Sequence, residues 1–175
     1  MLIRRGRKEE VYDIVKIIKN AVLDMEAQGI YQWDDIYPNE EDINNDIYGN
    51  NLFVYIEDNI IKGIVVLNES QDKEYQNIKW KYNEPKNLVI HRLCIDPEYK
   101  GRGIATTLIK YAERFSKENG YISIRLDAFT ENNNACRLYE KNGYEKRGII
   151  SFRKGEFFCL EKEMKKMGPD PCKNK

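Results

Sequence analysis

The chain has 175 residues, with 29 Lys+Arg against 29 Asp+Glu and one histidine, 41% hydrophobic and 33% charged residues, and a net charge of zero. That length suits one domain around a single core, and the composition is that of a globular, soluble chain. No apolar run reaches the ~20 residues of a membrane span, the neutral balance argues against a nucleic-acid binder, and one histidine excludes a His-rich metal site.

Leu2 to Arg5 reads as a short strand. No apolar run follows the basic residues of the first eight positions, so no export signal is expected there. From Glu9 to Gln28, Val11, Ile14, Val15, Ile18, Ala21, Val22 and Met25 recur at helical spacing, and Gly29 supplies a stop. Pro38-Asn39 followed by Glu40, Glu41 and Asp42 reads as the start of a second helix that buries Ile43 and Ile47. Leu52 to Glu57 and Ile60 to Leu67 are β-rich runs joined at Asp58-Asn59, the signature of a hairpin. Gln71 to Lys86 is polar and irregular apart from Tyr75, Trp80 and Tyr82.

Asn87 to Ile95 reads as a strand halted by Asp96-Pro97, and Gly101 to Asn119 as a helix with Ile104, Leu108, Ile109 and Ala112 inward. A strand over Tyr121 to Ala128, a short helix over Asn132 to Asn142, and strands near Tyr144 to Phe152 and Glu156 to Glu163 complete the order. The expected architecture is α/β: a mixed sheet with a central parallel β-α-β unit, flanked by about four helices. One domain over 1–165 is expected, with a frayed tail over 166–175.

Cys94, Cys136, Cys159 and Cys172 form no Cys-x-x-Cys pair, so neither a zinc site nor a disulfide framework is expected, and a reducing cytoplasm is the expected compartment. The zero net charge hides an asymmetry. Between Asn20 and Ile61 there is no Lys or Arg, while Asp24, Glu26, Asp34, Asp35, Glu40, Glu41, Asp42, Asp46, Glu57 and Asp58 all fall there. Such a window is either a solvated acidic face or one wall of a site for a cation.

The segment Leu93-Cys94-Ile95-Asp96-Pro97-Glu98-Tyr99-Lys100-Gly101-Arg102-Gly103-Ile104-Ala105-Thr106 runs from a strand through a turn into a helix. Glycines at a helix start bare its free amides, and with the positive dipole end these form a cradle for a phosphate or pyrophosphate. The segment is not a P-loop, and Thr106 stands where a dinucleotide fingerprint needs its third glycine.

Lys100 to Ala105 resembles the acyl-CoA pyrophosphate loop of the GNAT N-acetyltransferase superfamily, whose pattern is Gln/Arg-x-x-Gly-x-Gly/Ala. Asn132-x-x-Ala135-x-x-Leu138-Tyr139-Glu140-Lys141-x-Gly143-Tyr144 is similar to that family's second hallmark, in the family's order and spacing. The departure is Lys100, where the family usually has Gln or Arg; lysine keeps the cation of an arginine but not its planar fork.

The resemblance implies a GNAT-like fold, acetyl-CoA as co-substrate with no metal, and a primary amine as acceptor. It implies that Leu93, Cys94 and Ile95 present backbone groups to the pantetheine arm beside a β-bulge. Lys100, Gly101, Arg102, Gly103, Ile104, Ala105 and Thr106 would hold the pyrophosphate, and Asn132 the pantetheine amides. Tyr139 matches the family's general acid, with a core aromatic as the bland alternative. Asp127 corresponds to a glutamate base in some members, and His91 has the intrinsic pKa of a base, near ~6.5. The resemblance also places the acidic window beside the acceptor, where Tyr31, Trp33, Asp34 and Asp35, with Trp80 opposite, would receive a cationic amine. No cysteine stands in a nucleophile motif, which favours direct transfer in a ternary complex. The competing reading is a module that binds acyl-CoA without turnover. Exposed terminal strands leave room for a homodimer.

Overall fold

A computed structural model describes residues 1–83 and 86–164. Lys165, the tail expected at 166–175 and Cys172 lie outside the described residues. In chain order the elements are β1 (Leu2–Arg5), α1 (Val11–Ala27), α2 (Glu40–Tyr48), β2 (Leu52–Glu57), β3 (Ile60–Asn68), β4 (Asn87–Ile95), α3 (Ile104–Glu118), β5 (Ser123–Phe129), α4 (Asn133–Lys141), β6 (Glu145–Phe152) and β7 (Gly155–Glu163). The strands form one sheet in the order β1-β2-β3-β4-β5-β7-β6. Every neighbouring pair is antiparallel except β4 and β5, which are parallel because α3 carries the chain back between them. The expected mixed α/β architecture is the one observed.

Local chemistry sets most boundaries. Asp58 and Asn59 sit at φ 54° and 59°, the left-handed pair that a two-residue hairpin requires. Asn39 caps α2 by accepting from the amides of Glu41 at 2.8 Å and Asp42 at 3.1 Å. The helix expected from Gly101 begins later, at Ile104. Gly101 and Gly103 occupy φ 76° and 77°, which no right-handed helix can contain. On α1 the fully buried positions are Val11, Ile14, Ile17, Ile18 and Ala21, whereas Val15, Val22 and Met25 are only partly covered.

Two features of β4 create an opening in the sheet. It pairs with β5 only over Asn87 to Ile90, and the two strands then part. Opposite β3, Leu67 aligns with Ile90 but Val65 with Leu93, so β4 carries one extra residue at His91-Arg92. This is a β-bulge, which bends its strand and breaks the ladder locally. The face carrying α3 and α4 buries Phe53, Val65, Leu88, Ile90, Leu108, Ile109 and Leu126. The opposite face is shared: α1 and α2 cover Val54, Ile64 and Val66, and the 71–82 segment covers Val89, Phe129 and Cys159 with Tyr75 and Trp80.

That segment is fastened by charge. Glu161, fully buried on β7, accepts from Ser123 Oγ and Arg125 Nε, each at 3.1 Å, and from the Lys81 amide at 2.9 Å. Arg125 also donates to Gln71 Oε1 at 2.7 Å and lies 4.4 Å over the Trp80 ring. Removing one partner of a buried pair strands the other charge. Glu161→Ala is therefore expected to cost about 3–5 kcal/mol, read as a fall of roughly 10 °C or more in Tm. A change below 2 °C would show that water satisfies Arg125 instead.

Candidate active site

The parting of β4 and β5 opens a cleft of about 400 Å³. Along one wall lie Leu93, Cys94 and Ile95 of β4; at one end lie Lys100, Gly101, Gly103, Ile104, Ala105 and Thr106. Asp127, Asn132 and Tyr139 line the side formed by β5 and α4, and His91 lies at the bulge. Thirteen of the fourteen expected cofactor and catalytic positions are thus brought together in one groove, although they come from four separate stretches of sequence.

At the glycine end, the amide of Thr107 makes the first bond of α3, to the Gly103 carbonyl at 3.0 Å. The amides of Ile104, Ala105 and Thr106 precede it and have no partner within the helix. They face the cleft with the positive end of the helix dipole behind them, a backbone arrangement suited to a polyphosphate. The side chains contribute less than expected. Lys100 is ion-paired with Asp24 of α1. Arg102 is not on the cleft; it lies 5.2 Å over the Tyr99 ring and donates to the Glu98 carbonyl at 3.4 Å.

At the other end, Asn132 caps α4 by accepting from the Ala135 amide at 3.1 Å, while its Nδ2 donates to Gln32 Oε1 at 3.1 Å. Tyr139 is buried, packs edge-on against Tyr144 with centroids 5.9 Å apart, and is one of the residues that line the cleft. Burial, reinforced by the Asp127 carboxylate, pushes its pKa well up, so the phenol stays protonated. Burial also pushes Asp127 up, to about 6, against a hydrogen bond from Tyr75 that lowers it, and with the Asp72 charge adding to the rise. His91 moves the other way, to about 4, because burial and the adjacent Arg92 disfavour its charged form. Its Nε2 lies 2.8 Å from Asn68 Oδ1.

The acceptor wall differs from expectation. Of its five residues only Trp33 lines the cleft. Tyr31 is exposed, and Asp34 and Asp35 line a separate groove on the outer side of α1. Asp34 binds Arg153 through both carboxylate oxygens at 2.9 Å and Lys154 at 3.1 Å. Burial raises Asp34, but these bonds and the amides of Tyr37 and Ile36 outweigh it and hold the group at about 2. Trp80 is a core residue, packed at a tilt against Tyr75 with centroids 5.1 Å apart. The acidic window as a whole is largely neutralised within the chain. Asp24 pairs with Lys100, Asp42 and Asp46 with Arg92, Glu57 and Asp58 with Lys62, and Asp34 with Arg153 and Lys154.

Sequence reasoning missed the link from Tyr75 to this end of the cleft, where its hydroxyl donates to Asp127 Oδ2 at 2.8 Å. It also missed Ala21, Met25 and Gln28, by which the end of α1 closes the cleft. The loop over 30–38 crosses the groove as a strap, joined to Asn132 through Gln32, to the β6–β7 turn through Asp34, and to Arg92 through the Tyr37 ring at 5.1 Å.

No helix of the described residues is long and apolar enough to cross a membrane. Among those residues no group of three or more His, Cys, Asp or Glu side chains could hold a metal ion.

Comparison with known proteins agrees with the fold. The chain is 34% identical over 73 residues to an uncharacterized N-acetyltransferase of Methanocaldococcus jannaschii, a match covering 41% of this chain and 32% of that one. It therefore spans about a third of the length of that curated relative. An acetyltransferase of the GNAT family from Streptococcus agalactiae 2603 superposes with a TM-score of 0.83 at 25% identity, covering 94% of this chain and 96% of the other. A Salmonella typhimurium structure that holds its cofactor acetyl-CoA superposes at 0.70 with 15% identity, covering 98% and 99%. The acetyltransferase (GNAT) family pattern matches residues 16–144, most of the described residues and both ends of the cleft, and the chain belongs to that family.

Proposed function

We propose that the chain transfers an acetyl group from acetyl-CoA to a primary amine, by direct attack in a ternary complex. The observation that carries this reading is the cleft itself, with bared helix amides at one end and Asp127 and Tyr139 at the other. Family membership supports it, as does the acetyl-CoA held by the Salmonella typhimurium relative. Acetyl-CoA supplies the activated thioester. The amides of Ile104, Ala105 and Thr106 receive its pyrophosphate, and the unpaired edge of β4 beyond Ile90 offers backbone partners to its pantetheine arm.

Asp127 is the general base. An acceptor protonated near neutral pH must lose a proton before it attacks, and a carboxylate at about 6 is mostly free to take one at pH 7. His91, at about 4, is a weaker acceptor for that proton. Tyr139, kept protonated, holds a proton for the departing sulfur. Cys94 lies in the cleft, but burial pushes its thiol to about 12, so it is not a thiolate nucleophile. The buried free thiols of Cys94, Cys136 and Cys159 suit a reducing cytoplasm, and the sheet edges β1 and β6 offer a homodimer surface.

The test is release of CoA thiol with a panel of small amines and peptides. Binding of CoA with no release across the panel would favour a non-catalytic acyl-CoA module. Tyr139→Phe is expected to lower kcat about 100-fold while leaving the Kd for acetyl-CoA within twofold. Unchanged turnover would remove Tyr139 from the chemistry. The pH dependence of kcat/KM is expected to fall away below an inflection near 6, as the folded-state Asp127 takes up its proton.

A further inference from the structure

We infer that Tyr75 is a positioning residue for the acetyl transfer: its hydroxyl fixes one oxygen of Asp127 and leaves the other to meet the acceptor amine. The inference rests on the reading of Asp127 as the base. Its observation is the 2.8 Å bond from Tyr75 Oη to Asp127 Oδ2, which joins residues 52 positions apart. Among the described residues Asp127 Oδ1 accepts no hydrogen bond, so the two oxygens have different roles. A carboxylate free to rotate would present either oxygen in many orientations. One locked through Oδ2 presents Oδ1 in a fixed orientation, which is what proton abstraction at a fixed acceptor requires.

The phenol can do this because it is itself held rigidly. Tyr75 is buried among Val89, Phe129, Ile150, Phe157 and Cys159. Its carbonyl accepts from Trp80 Nε1 at 3.0 Å, and its ring packs on the Trp80 indole. Arg125 lies over that indole and ties Gln71 to the sheet, while Glu161 holds the Lys81 amide. The polar stretch over 71–82, which shows no periodicity in sequence, is thus an arm clamped near both ends to place one hydroxyl.

The hydroxyl also sets when the base is free. The charged or titratable groups facing Asp127 are Tyr75 and Asp72 from this arm, Tyr139 from α4, Cys159 from β7 and Tyr37 from the strap. Arg92 of the β4 bulge acts on Asp72 and Tyr37. Of the groups that shift Asp127, Tyr75 alone favours the carboxylate; burial and Asp72 oppose it. Without that bond the base would stay protonated to higher pH.

The experiment compares Tyr75→Phe, Asp127→Asn and the unaltered chain by the pH profile of kcat/KM and by 13C NMR titration of the Asp127 carboxyl. Tyr75→Phe keeps the ring and its packing and removes one oxygen. It is expected to move both the kinetic inflection and the carboxyl titration up by about 1–2 pH units, with the Kd for acetyl-CoA unchanged. A purely structural role would lower stability and leave both titrations where they are, and that result overturns the inference. If Tyr75→Phe fails to fold, Trp80→Phe removes the indole bond that anchors Tyr75 and should give a smaller shift in the same direction; no shift there also overturns it. Asp127→Asn separates the two levels. An inflection and turnover retained in Asp127→Asn would sink the base assignment. A silent Asp127→Asn beside an unshifted Tyr75→Phe would sink only the role of Tyr75.

Discussion

Replacing Asp127 with asparagine is expected to lower kcat by about 10²–10⁴-fold and, at the same time, to raise Tm at pH 7. The first effect is loss of the base. The second follows from proton linkage. Burial holds the Asp127 carboxyl at about 6 in the fold, above its ordinary value of 3.8. Between those two values the folded chain binds more protons than the unfolded chain, so stability declines as pH rises through that window. Above about 6 the fold bears the whole cost of a buried carboxylate; below 3.8 it bears none of it. Asparagine has the same shape, can still accept from Tyr75, and carries no charge. We expect a gain of about 1–2 kcal/mol at pH 7, some 2–8 °C in Tm, shrinking towards zero near pH 4. A Tm that drops at pH 7 would show that the carboxylate is a net stabilising partner, against the raised pKa.

The second large effect is at the glycine turn. Gly103→Val is expected to raise the Kd for acetyl-CoA at least ~100-fold while the chain still folds, because it covers donors that a polyphosphate needs. A Cβ added at Gly103 meets no protein atom within 4 Å, so the substitution creates no clash in the protein. What it adds is a left-handed φ of 77° for a β-branched residue, worth on the order of 1–2 kcal/mol, and an isopropyl group over the amides of α3. Gly120→Val controls for the strain. It has φ 73°, stands beyond the far end of α3, and has only the flexible Lys86 Nζ within 4 Å of its added Cβ. Equal loss of stability in both variants with loss of affinity in Gly103→Val alone is the expected pattern. Tight binding by Gly103→Val would count against the whole cradle.

Much of this was legible before any coordinates, and the reasons differ by element. The strand over Asn87 to Ile95 was bounded correctly because a β-rich run, interrupted only at His91-Arg92, ends at Asp96-Pro97, a stop written in adjacent residues. The hairpin at Asp58-Asn59 was equally local. The cofactor end of the cleft was legible because it is built largely from contiguous backbone, and spacing along the chain is then spacing in space. The acceptor end was not. Asp34 looked free because its partners, Arg153 and Lys154, lie 119 and 120 positions away. Tyr75 stands out in sequence only as an aromatic in an irregular polar segment, because no local pattern reports a hydroxyl that reaches β5. The acidic window was legible as a composition bias but not as a set of ion pairs, since pairing depends on which strands come together.

The strap over 30–38 has a consequence for how the protein is made. Its fastenings, Gln32 to Asn132 and Asp34 to Arg153, close loops of 100 and 119 residues. Contacts that close long loops are late to form, because chain entropy opposes them until the rest of the sheet is in place. A chain growing from its N-terminus can complete the β2–β3 hairpin and pack α1 and α2 against it early. The roof over the acceptor end must wait until the β6–β7 turn has been synthesised and has joined the sheet. On the function proposed above, the acceptor end of the cleft is then completed late in the synthesis of this chain.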